Sequence, residues 1–406
     1  MIEDRRATRR EFLRTGAKGM AAAALVSSCS RAPGPPEPST VRSPSSVRTL
    51  GRTGLRLPVV SIGTVYVEGL LRRALDEGLR YIHTSSSYAE RNHERMLGQA
   101  LKDLPRDSFV LGTSPDLPYK FGSGAGRSMD VGVDLDPDVI GRSMDGSLER
   151  LGLDHVDIYY LASVGTRRTA LHEPYIEAFE ALKRRGLTRF IGLITHSNEP
   201  EVIRAAVDSG RWDVVVTAYN FRQSHRAAVA ATVAAAANAG LGVVAMKTQA
   251  GVYWDRSRLR KINMKAALKW VVQNEHVHTT IPAFSDYDEL REDLDVIRSP
   301  ALTPAERSDL RLGETAGLTG VFCQQCGECL PQCPSGANVT VLMRAAMYAT
   351  ADRRPDRALH LLRGCSPSDI PCTGCTRCRV RCRMRLDVRS AACDLVPLLT
   401  AARTQG

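Results

Sequence analysis

Between about residues 55 and 298, short β-branched runs alternate with stretches whose apolar residues recur at helical spacing. Runs at 59–65, 79–84, 108–113, 156–162, 189–195, 214–220, 241–247 and 277–283 predict eight strands. A helical pattern follows each. In 138–151, Ile140, Met144, Leu148 and Leu151 share one face, and 175–185 is a second example. Gly186, Gly210 and Gly240 mark turns between units. Eight βα units over about 250 residues predict an α/β fold, a (β/α)8 TIM barrel, better than an open doubly wound sheet. No Gly-x-Gly-x-x-Gly follows the first run. The nearest cluster, Gly122-Ser-Gly-Ala-Gly126, has another spacing and lies in the loop after the third run, so a Rossmann fingerprint is absent.

The pattern differs at both ends. Residues 8–14 read Thr-Arg-Arg-Glu-Phe-Leu-Arg and precede a mild apolar stretch, 17–28, far too short to span a bilayer. Paired arginines in that setting resemble a twin-arginine export signal, which predicts a periplasmic protein or one anchored on the outer side of a membrane. Val26-Ser27-Ser28-Cys29 resembles a lipobox, with Cys29 as the lipid-bearing residue. A lone thiol in a disordered leader is the other reading. Residues 30–47, rich in Pro, Ser and Arg without periodicity, read as a flexible linker.

Composition narrows the class. With 406 residues, 43% apolar and 24% charged, the chain can fill two or three folded units. The net charge of +11 sits at the ends: 9 Lys/Arg against 4 Asp/Glu in residues 1–50, 12 against 6 in 317–406, and balance between them. A nucleic-acid binder concentrates its excess on a folded face among aromatics, so no nucleic-acid partner is expected.

Ten of the 11 cysteines fall between 323 and 393. Cys323, Cys326, Cys329 and Cys333, the last followed by Pro334, have the CxxCxxCxxxCP spacing of bacterial ferredoxins. Cys372, Cys375, Cys378 and Cys382 repeat it, with Arg383 in place of the proline. Zinc needs only four ligands, commonly in two separated pairs, so the doubled run points to two 4Fe-4S clusters. In two-cluster domains the fourth cysteine of a run serves the neighbouring cluster. Between the runs, 339–362 reads as two helices broken near Arg354-Pro355. Cys365 and Cys393 are left as structural thiols. Arg377, Arg379, Arg381, Arg383 and Arg385 punctuate the second run, either as a docking face for an acidic electron carrier, hence a redox partner protein, or as a solvated face.

Several blocks in the central segment resemble the aldo-keto reductase superfamily: the 138–160 helix and strand with Ser147-Leu-Glu-Arg-Leu-Gly-Leu-Asp, then 178–192, Tyr219-Asn220, 242–247 and 266–271. The resemblance implies NADP-dependent carbonyl chemistry on a small molecule, run by a Tyr, Lys, Asp and His tetrad. Only Tyr88 matches. His83 stands where the family has Asp, Ser114 where it has Lys and Ala162 where it has His. An unassisted tyrosine keeps a pKa near ~10 and is a poor acid at neutral pH. His83, as a cation or as the acid itself, and Lys247, at the end of the seventh run, are therefore the candidate helpers. For the cofactor, Asn220, Ser285 and Arg291 occupy binding positions, but Val216 replaces Gln and Asp293 replaces Asn.

The expected plan is a signal at 1–29, a linker at 30–47, a barrel at 48–316, a helical ferredoxin-like iron-sulfur domain at 317–393 and a tail at 394–406. Two functions compete: an exported oxidoreductase passing electrons between clusters and barrel, or a barrel without hydride chemistry that serves as a binding scaffold for the clusters.

Overall fold

The computed structural model describes residues 46–117, 130–254, 259–315, 323, 326–351, 353–363 and 365–404, all within one compact unit. The signal, most of the linker, Cys29 and the 122–126 glycine cluster lie outside the described residues.

An antiparallel hairpin, β1 (Val47–Thr49) and β2 (Arg56–Pro58), opens the fold. Seven parallel strands follow, each beside its predecessor: β3 (Tyr81–His83), β4 (Val110–Thr113), β5 (Val156–Leu161), β6 (Thr188–Thr195), β7 (Val214–Ala218), β8 (Gly242–Met246) and β9 (Thr279–Thr280). The run at 59–65 is not a continuous strand. Val60 bridges Thr280 and Ile62 bridges Ile82, so alternate residues pair with opposite neighbours and close the sheet into a ring. The Ser61 N–H donates to the Thr280 carbonyl and the Ile62 N–H to that of Tyr81, each at 2.8 Å.

Side-chain alternation sorts the two faces of the ring. Ile158 and Tyr160 of β5 point inward with Tyr81, Ile194, Val214, Val216 and Val244, and Leu50 and Leu57 of the hairpin join them. Tyr159 and Leu161 point outward to the helix layer, with Phe179 and Trp212. Glycines make room for the inward Tyr160 ring. A Cβ on Gly112 of β4 would meet it at 2.8 Å, and one on Gly192 of β6 at 2.7 Å.

The cysteine-rich segment has its own small core, in which Val341, Leu342, Ala345, Ala358 and Leu361 meet Ala392 and Leu395. Its first two helices are Val339–Ala346 and Pro355–Leu361, joined through a π-helical turn at Met347–Ala351, with the break at Pro355 as the sequence predicts, and a third is Val388–Cys393. Residues 394–406, expected as a tail, instead include the helix Val396–Thr404, because Leu395 and Leu399 recur at helical spacing and bury themselves in this core. Met347 and Tyr348 pack with Trp254, Ile262, Ala267 and Leu310 of the barrel side, and Arg363 pairs with Asp116 at 3.0 Å. The cysteine domain thereby covers the C-terminal end of the barrel.

Candidate functional site

A cavity of about 1450 Å³ lies at the C-terminal ends of the strands, where parallel barrels gather their chemistry. His83 ends β3, Ser114 follows β4, Ala162 follows β5, His196 follows β6 and Lys247 follows β8, and all five line it. Tyr88 joins them from the 3-10 turn Tyr88–Arg91, its ring 6.1 Å from that of His93. The catalytic candidates Tyr88, His83 and Lys247 therefore share one mouth. The far wall is built by the cysteine domain, with Arg344, Tyr348 and Arg357.

His83 is a correction to the sequence reading. Burial, with His93 nearby, lowers its pKa to about 4, so it carries no charge at neutral pH. Its Nδ1 lies 3.1 Å from the Tyr81 hydroxyl, which in turn is 2.7 Å from that of Tyr160. Burial also raises both tyrosines well above their ordinary range, leaving a neutral hydrogen-bonded row along the barrel wall. His196 is likewise held neutral, by burial first and then by Arg344, Lys247 and His83. Its Nδ1 has no hydrogen-bond partner among the described residues.

Lys247 has φ +56°, the left-handed region that side chains other than glycine seldom occupy. This turn at the end of β8 aims it across the mouth, and its Nζ lies 3.3 Å from the Tyr348 hydroxyl and 5.6 Å from the ring centre. Burial alone would raise the Tyr348 pKa. Lys247, Arg344 and Arg357 outweigh it and bring the pKa down to about 8. Arg357 also donates to the Tyr66 hydroxyl at 3.5 Å, while the Arg354 guanidinium lies 5.6 Å from the Tyr66 ring centre. His196, Arg344, Tyr348 and Arg357 were missed from sequence. His196, directly after a candidate strand, was findable by position. The other three belong to a segment that barrel resemblance does not reach.

The nicotinamide candidates are not brought to the cavity. Asn220 is buried and accepts from the Arg222 and Gln223 backbone N–H groups, so its side chain shapes its own turn. Ser285 bonds to Glu289 at 2.9 Å, and exposed Arg291 pairs with Asp288 at 2.9 Å. The cavity wall nearby carries Asp286, Asp288, Glu289, Glu292 and Asp293. Burial, then Glu289 and Glu292, raises the Asp293 pKa well above the usual carboxylate range. Ser285 and Arg291 are thus engaged by acidic neighbours close in the chain, and the cavity wall beside them is mainly acidic.

One cysteine of each run lies near the other run. Cys333 of the first run lines a small cavity with Cys372, Cys375 and Cys378 of the second. Conversely, Cys382 lies close enough to influence Cys326 and Cys329. Burial, then Cys323, Cys326 and Cys382, pushes the Cys329 thiol up to about 12. Burial, then Cys393, Cys333, Cys375 and Cys378, pushes Cys372 to about 11. Thiols that repel one another's ionised forms in a buried space fit a group that brings positive charge. Among the described residues, no three Cys, His, Asp or Glu stand close enough together to hold one metal ion.

A closed parallel ring with its titratable groups at the strand C-termini defines an enzyme-type α/β barrel. The Aldo/keto reductase family matches residues 61–266, half of the chain, and the chain belongs to it. L-Galactose dehydrogenase of Arabidopsis thaliana is 32% identical over 163 residues, 36% of this chain and 47% of that protein. D-threo-Aldose 1-dehydrogenase of a Pseudomonas species is 28% identical over 220 residues, 47% of this chain and 66% of that protein. The chain thus spans about half the length of the curated relatives it matches. An aldo-keto reductase from Bacillus halodurans, in its holo form, has the same fold, with a TM-score of 0.52 at 22% identity over 66% of this chain and 96% of its own.

Proposed function

We propose that this protein is an exported oxidoreductase that acts on a small carbonyl or hydroxyl compound at the barrel mouth and exchanges electrons through two 4Fe-4S clusters rather than through NADPH. The observation that carries the reading is the crossed grouping of the two cysteine runs in a domain seated over that mouth. Cys323, Cys326, Cys329 and Cys382 would hold one cluster, and Cys372, Cys375, Cys378 and Cys333 the other. When bound, such clusters supply one-electron transfer. The substrate class follows the two relatives, which are named for an aldose and for L-galactose.

In the mouth, Lys247, Arg344 and Arg357 gather positive charge where an oxygen anion would develop, and stabilisation of such charge is commonly the largest catalytic effect. Neutral His196, with its unpartnered Nδ1, is placed to bond a substrate oxygen in the role that Ala162 has vacated. Anaerobic purification followed by iron and sulfide analysis should give about eight irons per chain, and fewer than about five would remove the two-cluster claim.

The scaffold reading draws support from the acidic cavity wall beside Ser285 and Arg291, the positions proposed for a cofactor phosphate. Calorimetric titration with NADPH separates the alternatives. Micromolar binding would restore the nicotinamide chemistry of the family, and binding absent at millimolar cofactor leaves the cluster-coupled and scaffold readings. Export rests on Arg9 and Arg10. Changing both to Lys should hold the protein in the cytoplasm, and unchanged fractionation would sink that element.

A further inference from the structure

We propose that Tyr348, carried into the barrel mouth by the cysteine domain, is the proton-transfer group of that mouth, with Lys247 as its charge partner. The proposal rests on the mouth being the reaction site, and it moves acid-base chemistry from the family's tyrosine position to a different domain.

The geometry separates the two tyrosines. Tyr88 occupies the inherited position, but Ser114 stands where a lysine would be needed; the Tyr88 ring is 6.1 Å from that of His93, and a cation that reaches it is Arg357 of the cysteine domain. Tyr348 has the ammonium of Lys247 at 3.3 Å from its hydroxyl. Arg344, one helical turn earlier and almost wholly buried, and Arg357, from the next helix, complete a cationic surround. Acidic neighbours on the roof are engaged elsewhere: Asp356 with Arg354 at 2.7 Å and Asp116 with Arg363 at 3.0 Å. The cavity is also lined by His83, His196 and His360, each with its pKa lowered by burial, by the phenols Tyr66 and Tyr88, by Arg91, Lys261 and Arg363, and, on the wall by the last barrel helix, by Asp286, Asp288, Glu289, Glu292 and Asp293. A phenol among three cations relieves their repulsion by giving up its proton, and here that outweighs the opposing cost of burial. The π-helical turn that begins at Met347 also fits, since such turns recur at functional sites.

The step itself is a proton exchange. As negative charge grows on a substrate oxygen, the Tyr348 O–H bond breaks and an O–H bond forms on that oxygen. The phenolate left behind is held by Lys247 and takes its next proton from water in the cavity. In reverse, the phenolate removes the proton of a substrate hydroxyl. No electron passes through this step.

Ultraviolet difference titration of the full-length protein tests the pairing without knowledge of the substrate. Subtracting the Tyr348→Phe spectrum at each pH cancels every other chromophore. One phenolate should appear with a midpoint near pH 8, Lys247→Gln should raise that midpoint by at least about one pH unit, and Tyr88→Phe should leave it in place. Three results would each overturn the proposal: no tyrosine of the wild type ionising below about pH 9.5, a midpoint indifferent to Lys247→Gln, or a signal lost in Tyr88→Phe. The readout is independent of iron content. A chain short of iron fails the cluster reading alone, and a chain with full clusters but no low phenolate fails this one alone.

Discussion

At the end of β3 the carboxylate position of the family is filled by His83, and its burial has a measurable cost in acid. Its folded pKa of about 4 lies below the ordinary value of ~6.5, so between these values the unfolded chain binds the extra proton and the folded one does not. Stability from this residue is present above pH ~6.5 and falls as the pH drops toward 4. The loss from pH 7 to pH 5 should be about 2 kcal/mol at most, and His83→Gln should flatten that slope in thermal melts at the two pH values. At the mouth, Tyr348→Phe should lower viologen-linked turnover by about 10² to 10⁴, while Tyr88→Phe should cost less than about tenfold. Steady-state rates of the two variants side by side decide it, and a reversed order would return the chemistry to the barrel. That His83, Tyr88, Ser114, Ala162 and Lys247 line one cavity was legible in the sequence because the last residues of parallel strands converge on one end of a barrel. It did not show that His83 is neutral, since charge state depends on what packs over a side chain. The capture of Ser285 by Glu289 and of Arg291 by Asp288 was readable, being pairs at i,i+4 and i,i+3.

Among the elements, the strand order was legible throughout from β-branched runs, with boundaries shifted by a few residues. The run at 59–65 is the exception, because pairing that alternates between two neighbours leaves no ladder for a strand to extend. The packing inside the ring was not legible. Tyr160 of β5 needs bare backbone on both flanking strands, and Gly112 and Gly192 supply it. Gly112→Ala would press a methyl against both Tyr160 and Tyr81, within 3 Å of each ring or hydroxyl. The expected cost is about 1 to 3 kcal/mol in urea unfolding, and a neutral result would show that the tyrosine pair yields more easily than its burial implies. The same variant would disturb the Tyr81 to His83 contact and so couple barrel packing to the mouth.

For the molecule as a whole, two cores meet at a seam where Met347 and Tyr348 pack with Trp254 and Ile262. On the proposed two-cluster reading, removing iron with a chelator under oxidising conditions should raise hydrogen exchange in the cysteine domain while β5 to β8 stay protected, because the barrel core is separate from the cysteine core. Exchange rising equally in both would show one cooperative unit and no independent barrel. The order of the chain adds a consequence to the crossed cysteines. The stretch from Cys333 to Cys372 carries Arg344, Tyr348 and Arg357, and both of its ends belong to the same cysteine set. With that set bridged as proposed, the stretch is a closed loop whose unfolded freedom is cut at both ends at once, and the entropy of bringing two cations and a phenol to the mouth has already been lost. With the bridge gone, the loop regains that freedom, and the barrel loses its reactive wall without the alteration of a single barrel residue.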